Sequence, residues 1–394
     1  MTLTEIRELQ PQEMAEVLYE LETYALQASP PRRDREEFQS IVKELQGCTY
    51  FALYENELPV ACVASTAMTQ NVRGGMYGMG GVWGVATNPS ARRKGYSRRL
   101  LAQLMLHNKE NGRPLSCLYP FREVFYERLG YINFPRAHKV HLNIRALLPI
   151  AKKDFEGEVE LVHLEKGYDE YLNLLKQMRE RTHGMALFDI PDINRAQSSN
   201  LWLALAKDAG QVVGGMIYRI KGERPTEFKL SALRFYYTTS QGKYLLLGWI
   251  ARHIDQTAEV ELHLPPFELP ETWMADLVAG LEPAWRGGMG RILDVAALAG
   301  MQASPGSFSA RLNDPVCPWN EKIWRFETHN GLLQVDAAQR TDCELSIQAL
   351  SALVYGTHDP ADFAFLGWGN PAPELQHTMG RMFPRRLPYL HENY

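Results

Sequence analysis

The stretch VATNPSARRKGYSRRLL, residues 85–101, contains a short apolar run, a basic turn and the start of a helix. Asn88-Pro89 stops the strand that the apolar run predicts, and apolar residues recur from Leu100 at the spacing of one buried helix face. Five basic residues fall between positions 92 and 99, although the whole chain carries a formal charge of -4. The stretch therefore predicts a strand, a locally basic loop and a helix, in that order.

The segments that follow complete an α/β unit. The run PLSCLY, residues 114–119, predicts a second strand, and residues 122–129 predict a short helix that Gly130 ends. A strand, a crossover helix and a second strand form a βαβ unit, whose ligand site lies at the carboxyl ends of the strands. The basic loop stands at that end, so we expect it to contact the ligand.

The basic loop has the chemistry of an anion site. Gly95 allows a tight turn directly before the helix, so that unpaired backbone N–H groups and the positive end of the helix dipole face one point. A pyrophosphate suits that point, and the strand edge at 85–87 suits an extended ligand with amides, such as the pantetheine arm of coenzyme A. A solvated helix start and a nucleic-acid patch remain as alternatives. The second is disfavoured because Tyr96 is the single aromatic residue in the loop and the chain as a whole is acidic.

Two motifs give this unit a family resemblance. Arg92-x-x-Gly95-x-Ser97 resembles the R/Q-x-x-G-x-G/A motif of the GNAT (Gcn5-related) N-acetyltransferases, with Ser97 in place of the last Gly or Ala. The segment FYERLGY, residues 125–131, resembles a second GNAT segment whose helical Tyr lies near the thioester sulfur. The resemblance implies that Tyr126 is the general acid, since a phenol with a pKa of about 10 keeps its proton at neutral pH and hydrogen-bonds to a departing thiolate. Taken alone, a Tyr at this position is also explained as a core aromatic residue.

The resemblance also implies acetyl-CoA as the cosubstrate. The residues that it places along the pantetheine arm and around the pyrophosphate are Val85, Ala86, Thr87, Arg92, Arg93, Lys94, Gly95, Tyr96 and Ser97.

The composition of the 394 residues, 45% hydrophobic and 22% charged, is that of a globular protein with two or three domains. The 42 Lys+Arg nearly balance the 46 Asp+Glu, so no nucleic-acid partner is expected. The five cysteines lie far apart without a CxxC pair and the histidines are scattered, so we expect neither disulfides nor a metal site. The N-terminus has no secretory signal and no apolar run is long enough for a membrane span, so we expect a cytoplasmic protein without a membrane partner.

The pattern of elements restarts twice along the chain, which predicts domains at 1–145, 146–287 and 288–394. The second domain repeats the strand and helix pattern but has only Gly242 and Lys243, and no Arg cluster, before its last helix. We therefore expect no coenzyme there, and assign that domain to shaping the acceptor cleft and packing subunits.

This order is similar to that of the Eis (enhanced intracellular survival) group of acetyltransferases, which have two tandem GNAT domains followed by a sterol-carrier-like domain. The resemblance implies an α/β (α+β) fold with mixed sheets, and a homo-oligomer, trimeric or hexameric. It also implies that the C-terminal carboxylate, here that of Tyr394, reaches the first active site as general base. The implied acceptor is an amine or a polycation such as an aminoglycoside, and the residues assigned to it are Trp83 and Glu392, with Asp34, Glu36 and Glu37 as further acids.

Three other functions are compared with the sequence: dinucleotide binding, apolar-ligand binding and coenzyme-A sensing. Gly78 to Trp83 lacks the last glycine of a dinucleotide-binding fingerprint, because Trp83 occupies that position. The sterol-carrier-like segment leaves apolar-ligand (lipid) binding open, against the alternative that its apolar residues form a core. A coenzyme-A-sensing protein without catalysis is the last alternative, and Tyr126 and the aromatic residue at the C-terminus argue against it.

Overall fold

The computed structural model of the protein describes residues 3–27, 30, 34–44, 47–190, 200–224 and 226–392. Its strands are β1 (Thr4–Glu8), β2 (Cys48–Glu55), β3 (Leu58–Val72), β4 (Gly75–Thr87), β5 (Leu115–Leu118), β6 (Ile132–Asn133), β7 (His138–Asn143), β8 (Glu158–His163), β9 (Ala186–Phe188), β10 (Trp202–Asp208), β11 (Gln211–Lys221), β12 (Phe228–Tyr237), β13 (Thr257–Leu264), β14 (Gly280–Pro283), β15 (Met289–Ile292), β16 (Ser307–Asn313), β17 (Ile323–His329), β18 (Leu332–Ala337) and β19 (Cys343–Ser346). Its α-helices are α1 (Pro11–Ala25), α2 (Arg35–Glu44), α3 (Tyr96–Glu110), α4 (Glu123–Glu127), α5 (Leu148–Ala151), α6 (Leu164–Arg181), α7 (Ser240–Ala251), α8 (Ile347–Tyr355), α9 (Phe363–Leu366) and α10 (Pro373–Met382).

The first sheet has the order β1-β2-β3-β4-β5-β15-β6, with β9 paired to β3. Strands β1 to β4 are antiparallel neighbours, whereas β4 and β5 are parallel and are joined through α3. Helix α1 packs on one face through Leu18 and Leu21, and α3 packs on the other through Leu100 and Leu104. The apolar spacing in 85–101 therefore produces the predicted strand, loop and helix.

The second sheet repeats this arrangement. Its order is β14-β7-β13-β12-β11-β10-β8, and β12 and β13 are parallel strands joined through α7, as β4 and β5 are through α3. Helix α7 packs through Leu246 and Ile250 in one core, while α6 packs through Tyr171 and Leu174 in another. Each half of the chain thus contains a parallel strand pair with a crossover helix, in a sheet that is otherwise antiparallel.

The third sheet has the order β18-β17-β16-β19. Its apolar residues, among them Phe308 and Phe326, share one core with Leu350 of α8 and with Met79 and Leu115 of the first sheet. The buried apolar residues of this unit therefore form a core that attaches it to the first sheet.

Strand pairing extends across the boundaries predicted near 145 and 287. Strand β7 precedes the first of them and pairs with β13 and β14 of the second sheet. Strand β15 follows the second and lies between β5 and β6, antiparallel to both, with every residue buried. The chain thus returns to the first sheet after it has completed the second.

Candidate active site

The parallel strands β4 and β5 separate where the predicted site lies. They pair from Met79 to Val82 against Leu115 to Leu118, and β5 ends there. Strand β4 continues to Thr87, and beyond Val82 its pairing partner is β3 alone. Val85, Ala86 and Thr87 therefore lie on an edge that no described strand covers, as an extended ligand with amides requires.

A bulge marks the same place on β4. Ala64 is opposite Trp83 and Cys62 is opposite Ala86, so that β4 carries one residue more than β3 over this interval. Gly84, inside the bulge, has a φ of 62°, which favours glycine. A bulge re-aims the backbone and side chains of its strand, and bulges are frequent beside active sites.

The basic loop presents free backbone donors. Among the described residues, none accepts a hydrogen bond from the backbone N–H groups of residues 93–97. Gly95 directly precedes α3 with a φ of 79°, and a Cβ at this position would meet nothing within 4 Å. Gly95 is therefore required by its backbone conformation, and the space beside it is open to a ligand.

The loop's side chains divide into two groups. Arg92 and Arg93 are exposed, and neither forms an ion pair with another described residue. Lys94 instead pairs with Glu55 of β2, with Nζ 2.8 Å from Oε1. Tyr96 is a buried core residue of α3, and its aromatic ring therefore contributes packing to this site.

Ser97 lies where the family motif has a smaller residue. Its hydroxyl is 2.8 Å from that of Thr87, a hydrogen bond that joins the first turn of α3 to the end of β4. The hydroxyl thus fixes the strand edge relative to the loop.

Tyr126 lies on α4, directly beyond β5, and is 3% exposed. The aromatic rings of Phe121, Phe125 and Tyr131 surround it with centroid distances of 5.6, 5.0 and 6.0 Å. Burial raises the pKa of Tyr126, and nearby Arg286 offsets this only in part. Tyr126 belongs to the same core as Val82 and α3, so its phenol is protonated at neutral pH on the α3 side of the diverging strands.

The chain's last described residues are buried between the first and second sheets. The Tyr119 hydroxyl, directly after β5, donates to the Leu390 carbonyl over 3.0 Å. The His391 carbonyl accepts a hydrogen bond from Arg234 Nη2 at 3.3 Å. The ring nitrogen Nδ1 of His391 lies 2.7 Å from the Tyr236 hydroxyl. These contacts direct the tail toward the end of β5.

Glu392, at the end of this tail, is 5% exposed. Tyr394, the predicted base, lies outside the described residues together with Asn393. Burial lowers the pKa of His391 well below its usual value, which keeps its imidazole neutral.

Apart from Glu392, the residues assigned to the acceptor, Trp83 and the three acids at the start of α2, lie on the α1 side of the first sheet. Trp83 is half-buried, and its ring lies 5.4 Å from that of Tyr50 in an edge-on contact. Asp34 precedes α2, where one carboxylate oxygen accepts from the backbone N–H groups of Glu36 and Glu37 at 2.8 and 3.1 Å. Asp34 therefore caps a helix, and all three acids are exposed.

Glu22 of α1 is not among the predicted site residues and is 8% exposed. Its Oε1 atom has no hydrogen-bond partner among the described residues. Burial raises the pKa of Glu22 to about 7. The burial of Glu22 could have been predicted from its position four residues after Leu18, which places it on the apolar face of an amphipathic helix.

The corresponding helix start in the second sheet is closed. Thr239 accepts from the Gly242 N–H over 3.1 Å, and a Cβ on Gly242 would meet the backbone of Val213. The Lys243 ammonium lies over the rings of Tyr237 and Tyr244. This helix start is therefore filled by protein atoms, unlike the start of α3.

Within the described part of the chain, no cluster of three His, Cys, Asp or Glu side chains is arranged to hold a metal ion. No described helix is long and apolar enough to cross a membrane.

Two family models match separate parts of the chain. Residues 5–133 match the acetyltransferase (GNAT) domain, and residues 296–391 match the sterol carrier protein domain. No curated protein sequence matches the chain.

Solved structures match over nearly the whole chain. A probable N-acyltransferase from Enterococcus faecalis superposes with a TM-score of 0.85 at 19% identity, covering 100% of both chains. A GCN5-related N-acetyltransferase from Anabaena variabilis gives 0.84 at 17%, covering 98% of this chain and 99% of the other. Eis1 from Mycobacterium abscessus gives 0.79 at 16%, covering 100% of both. The predicted fold class and the resemblance to GNAT and Eis acetyltransferases are confirmed.

Proposed function

We propose that the chain, whose residues 5–133 match the acetyltransferase (GNAT) domain, transfers the acetyl group of acetyl-CoA to the amine of a cationic acceptor. The observation that carries this proposal is the separation of β4 from β5 beyond Val82, beside a loop whose backbone donors are free.

The free backbone N–H groups of residues 93–97 and the charges of Arg92 and Arg93 are proposed to bind the pyrophosphate. Donors aimed at one point before a helix favour a polyanion, and charge-assisted bonds strengthen the contact. Lys94 is already paired with Glu55, so we assign the charge at this site to the two arginines. The pantetheine arm is proposed to lie along Val85 to Thr87 as an added strand.

Transfer is proposed to be direct. The neutral amine attacks the thioester carbonyl, the C–S bond breaks, and Tyr126 donates its proton to the departing thiolate. Burial supports this assignment because it raises the pKa of the phenol and so preserves its proton. A backbone N–H near Val85 is proposed to stabilise the oxyanion, a contact of a kind worth about 3 kcal/mol.

The α-carboxylate of Tyr394 is proposed to hold the acceptor ammonium and to act as base. The support is the burial of the preceding residues up to Glu392, which fixes the direction of the tail. Glu392 and Trp83 are proposed to contact the acceptor, whose natural form we propose to be a polyamine or an aminoglycoside.

The test is a panel of amines, from simple primary amines to spermidine and an aminoglycoside, assayed for thiol release from acetyl-CoA and for the acetylated product. We expect cationic amines to be acetylated. Thiol release that no amine accelerates would refute the proposed function.

A second experiment tests the terminal base. Semisynthetic amidation of Tyr394 removes the negative charge and keeps every side chain, so we expect it to remove most turnover. An amidated enzyme with the native rate would show that the terminal carboxylate takes no part.

A further inference from the structure

Glu22 places an unpartnered carboxyl group against the β4 bulge. A Cβ built on Gly84 would lie 2.6 Å from its Oε1 atom, so this oxygen rests on the backbone of the bulge itself. The carboxyl group approaches from α1, whereas Tyr126 and α3 lie on the other face of the sheet. Glu22 and the proposed general acid therefore stand on opposite sides of the strand edge to which the acetyl group is assigned.

A second buried polar group, the hydroxyl of Tyr50, lies on the α1 side of the sheet. The buried Tyr50 hydroxyl has the Cys48 thiol, a weak hydrogen-bonding group, beside it and no oxygen or nitrogen partner among the described residues. Burial raises the pKa of Tyr50, and the nearby Glu22 carboxyl raises it further. The ring of Trp83 packs edge-on against Tyr50. A buried polar atom without a partner is costly, so it needs a contact that the described side chains do not supply, from a ligand or from water.

We propose that Glu22 is an internal proton acceptor for the acceptor amine, on the α1 side of the β4 bulge. The inference rests on the proposed function and changes one step of it: the terminal carboxylate orients the ammonium, and Glu22 takes over from that carboxylate as the group that accepts the proton. The acceptor is accordingly a primary ammonium compound, because its N–H groups can donate both to Oε1 of Glu22 and to the Tyr50 hydroxyl.

The step balances in protons and electrons. The ammonium donates a proton to the Glu22 carboxylate, and the nitrogen lone pair then forms the C–N bond. The C–S bond breaks with its electron pair on sulfur, which takes its proton from Tyr126. The nitrogen loses a second proton as the amide forms, which balances the proton that returns to the Tyr126 phenolate, and Glu22 releases its proton to solvent. One proton thus ends on coenzyme A and one in solvent, with both side chains restored.

The surroundings of Glu22 suit a proton acceptor near neutrality. The elements packed against α1 carry the exposed acids Glu36 and Glu37 on α2, and besides these Cys48, Tyr50, Cys62 and Arg35. Arg35 pairs with Glu20, and burial raises the pKa of Cys48, Tyr50 and Cys62, so these three are uncharged at neutral pH. An arriving ammonium is therefore the cation that stabilises the Glu22 carboxylate. A terminal carboxylate with a pKa of about 3.5 is a weaker base by roughly three powers of ten.

The variant Glu22→Gln preserves the shape of the side chain and removes the proton acceptor, and Glu16→Gln makes the same change on the exposed face of α1. With the fastest amine of the panel at pH 7, we expect Glu22→Gln to lower kcat/KM about 10²-fold and to leave the KM for acetyl-CoA unchanged. We also expect it to remove the rise of kcat/KM near pH 7. Native kcat/KM with a native pH profile in Glu22→Gln would overturn the inference.

Infrared difference spectroscopy gives a readout that does not need turnover. Wild-type protein loaded with coenzyme A at pH 6 should lose the carbonyl band of one protonated carboxyl group when the acceptor binds, and Glu16→Gln should lose the same band. The probe is the fastest amine of the panel, or spermidine if none is acetylated. A wild-type band that persists at saturating amine would overturn the role of Glu22, whether or not Glu22→Gln folds. Failure of the whole panel would refute the proposed function separately.

Discussion

Replacing Arg291 by Met is expected to cost about 3–5 kcal/mol of folding free energy, because it leaves a buried carboxylate without its cation. Arg291 lies on β15 with a fully buried side chain, and its Nη2 atom is 2.7 Å from Oδ2 of Asp314, which is 1% exposed. The same guanidinium donates to the carbonyls of Leu129 and Ile292. It therefore joins the first sheet to the C-terminal unit and supports the turn that follows Tyr126.

The magnitude follows from what remains after the substitution. Asp314 retains an amide donor from Asn320 at 2.9 Å and the backbone N–H of Cys317 at 3.1 Å. These neutral donors do not balance its charge, so the cost is that of breaking a buried pair by removing one partner. Changing Asp314 to Asn as well removes the remaining charge, and the double variant should recover part of the loss.

The assay is urea unfolding, followed by circular dichroism and by tryptophan fluorescence, on the transition that includes the first sheet and the C-terminal unit. Arg325→Met is the matched control, since Arg325 pairs with Glu327 at 3.0 Å with half of its side chain exposed. Exposed pairs contribute about 0–1 kcal/mol. If Arg291→Met unfolds within 1 kcal/mol of that control, the assignment of Arg291 as a support is refuted.

Replacing both Arg92 and Arg93 by Ala should raise the KM for acetyl-CoA at least about tenfold in initial-rate assays, whereas Lys243→Ala in the closed second helix start should leave it unchanged. Tyr126→Phe should lower kcat about 10²-fold and leave the KM for acetyl-CoA nearly intact, and native turnover would make Tyr126 a core aromatic residue. The free energy of unfolding of the wild type should fall, relative to Glu22→Gln, as pH rises from about 4.5 to about 7. The folded carboxyl group binds its proton more tightly than the unfolded one, so the loss is about 3 kcal/mol at most, and a difference that does not vary with pH would contradict the burial of Glu22.

The strand, loop and helix of residues 85–101 could be predicted because their signals are local: a stop at Asn88-Pro89, a glycine before the helix and one apolar face. The insertion of β15 between β5 and β6 could not be predicted, because the apolar run at 289–292 does not indicate which strands it pairs with. The chain also passes through the whole second sheet before it returns to the first.

The candidate site was predictable to the same extent. The loop and Tyr126 follow motifs, but the pair between Lys94 and Glu55 joins residues on different strands and needs the folded sheet. The burial of Glu22 depends on how α1 packs over the β4 bulge, which the helical pattern does not specify. Periodicity places a residue on a face of a helix, but the atoms opposite that face come from elsewhere in the chain.

Hydrogen exchange measured with and without coenzyme A tests the coenzyme site at the diverging strands most directly. The backbone N–H groups of residues 93–97 are free among the described residues, so they are the donors that a pyrophosphate would occupy. We predict that saturating coenzyme A slows their exchange and leaves that of residues 240–243, at the closed helix start of the second sheet, unchanged. Unchanged exchange at 93–97, or protection at 240–243 instead, would contradict the account.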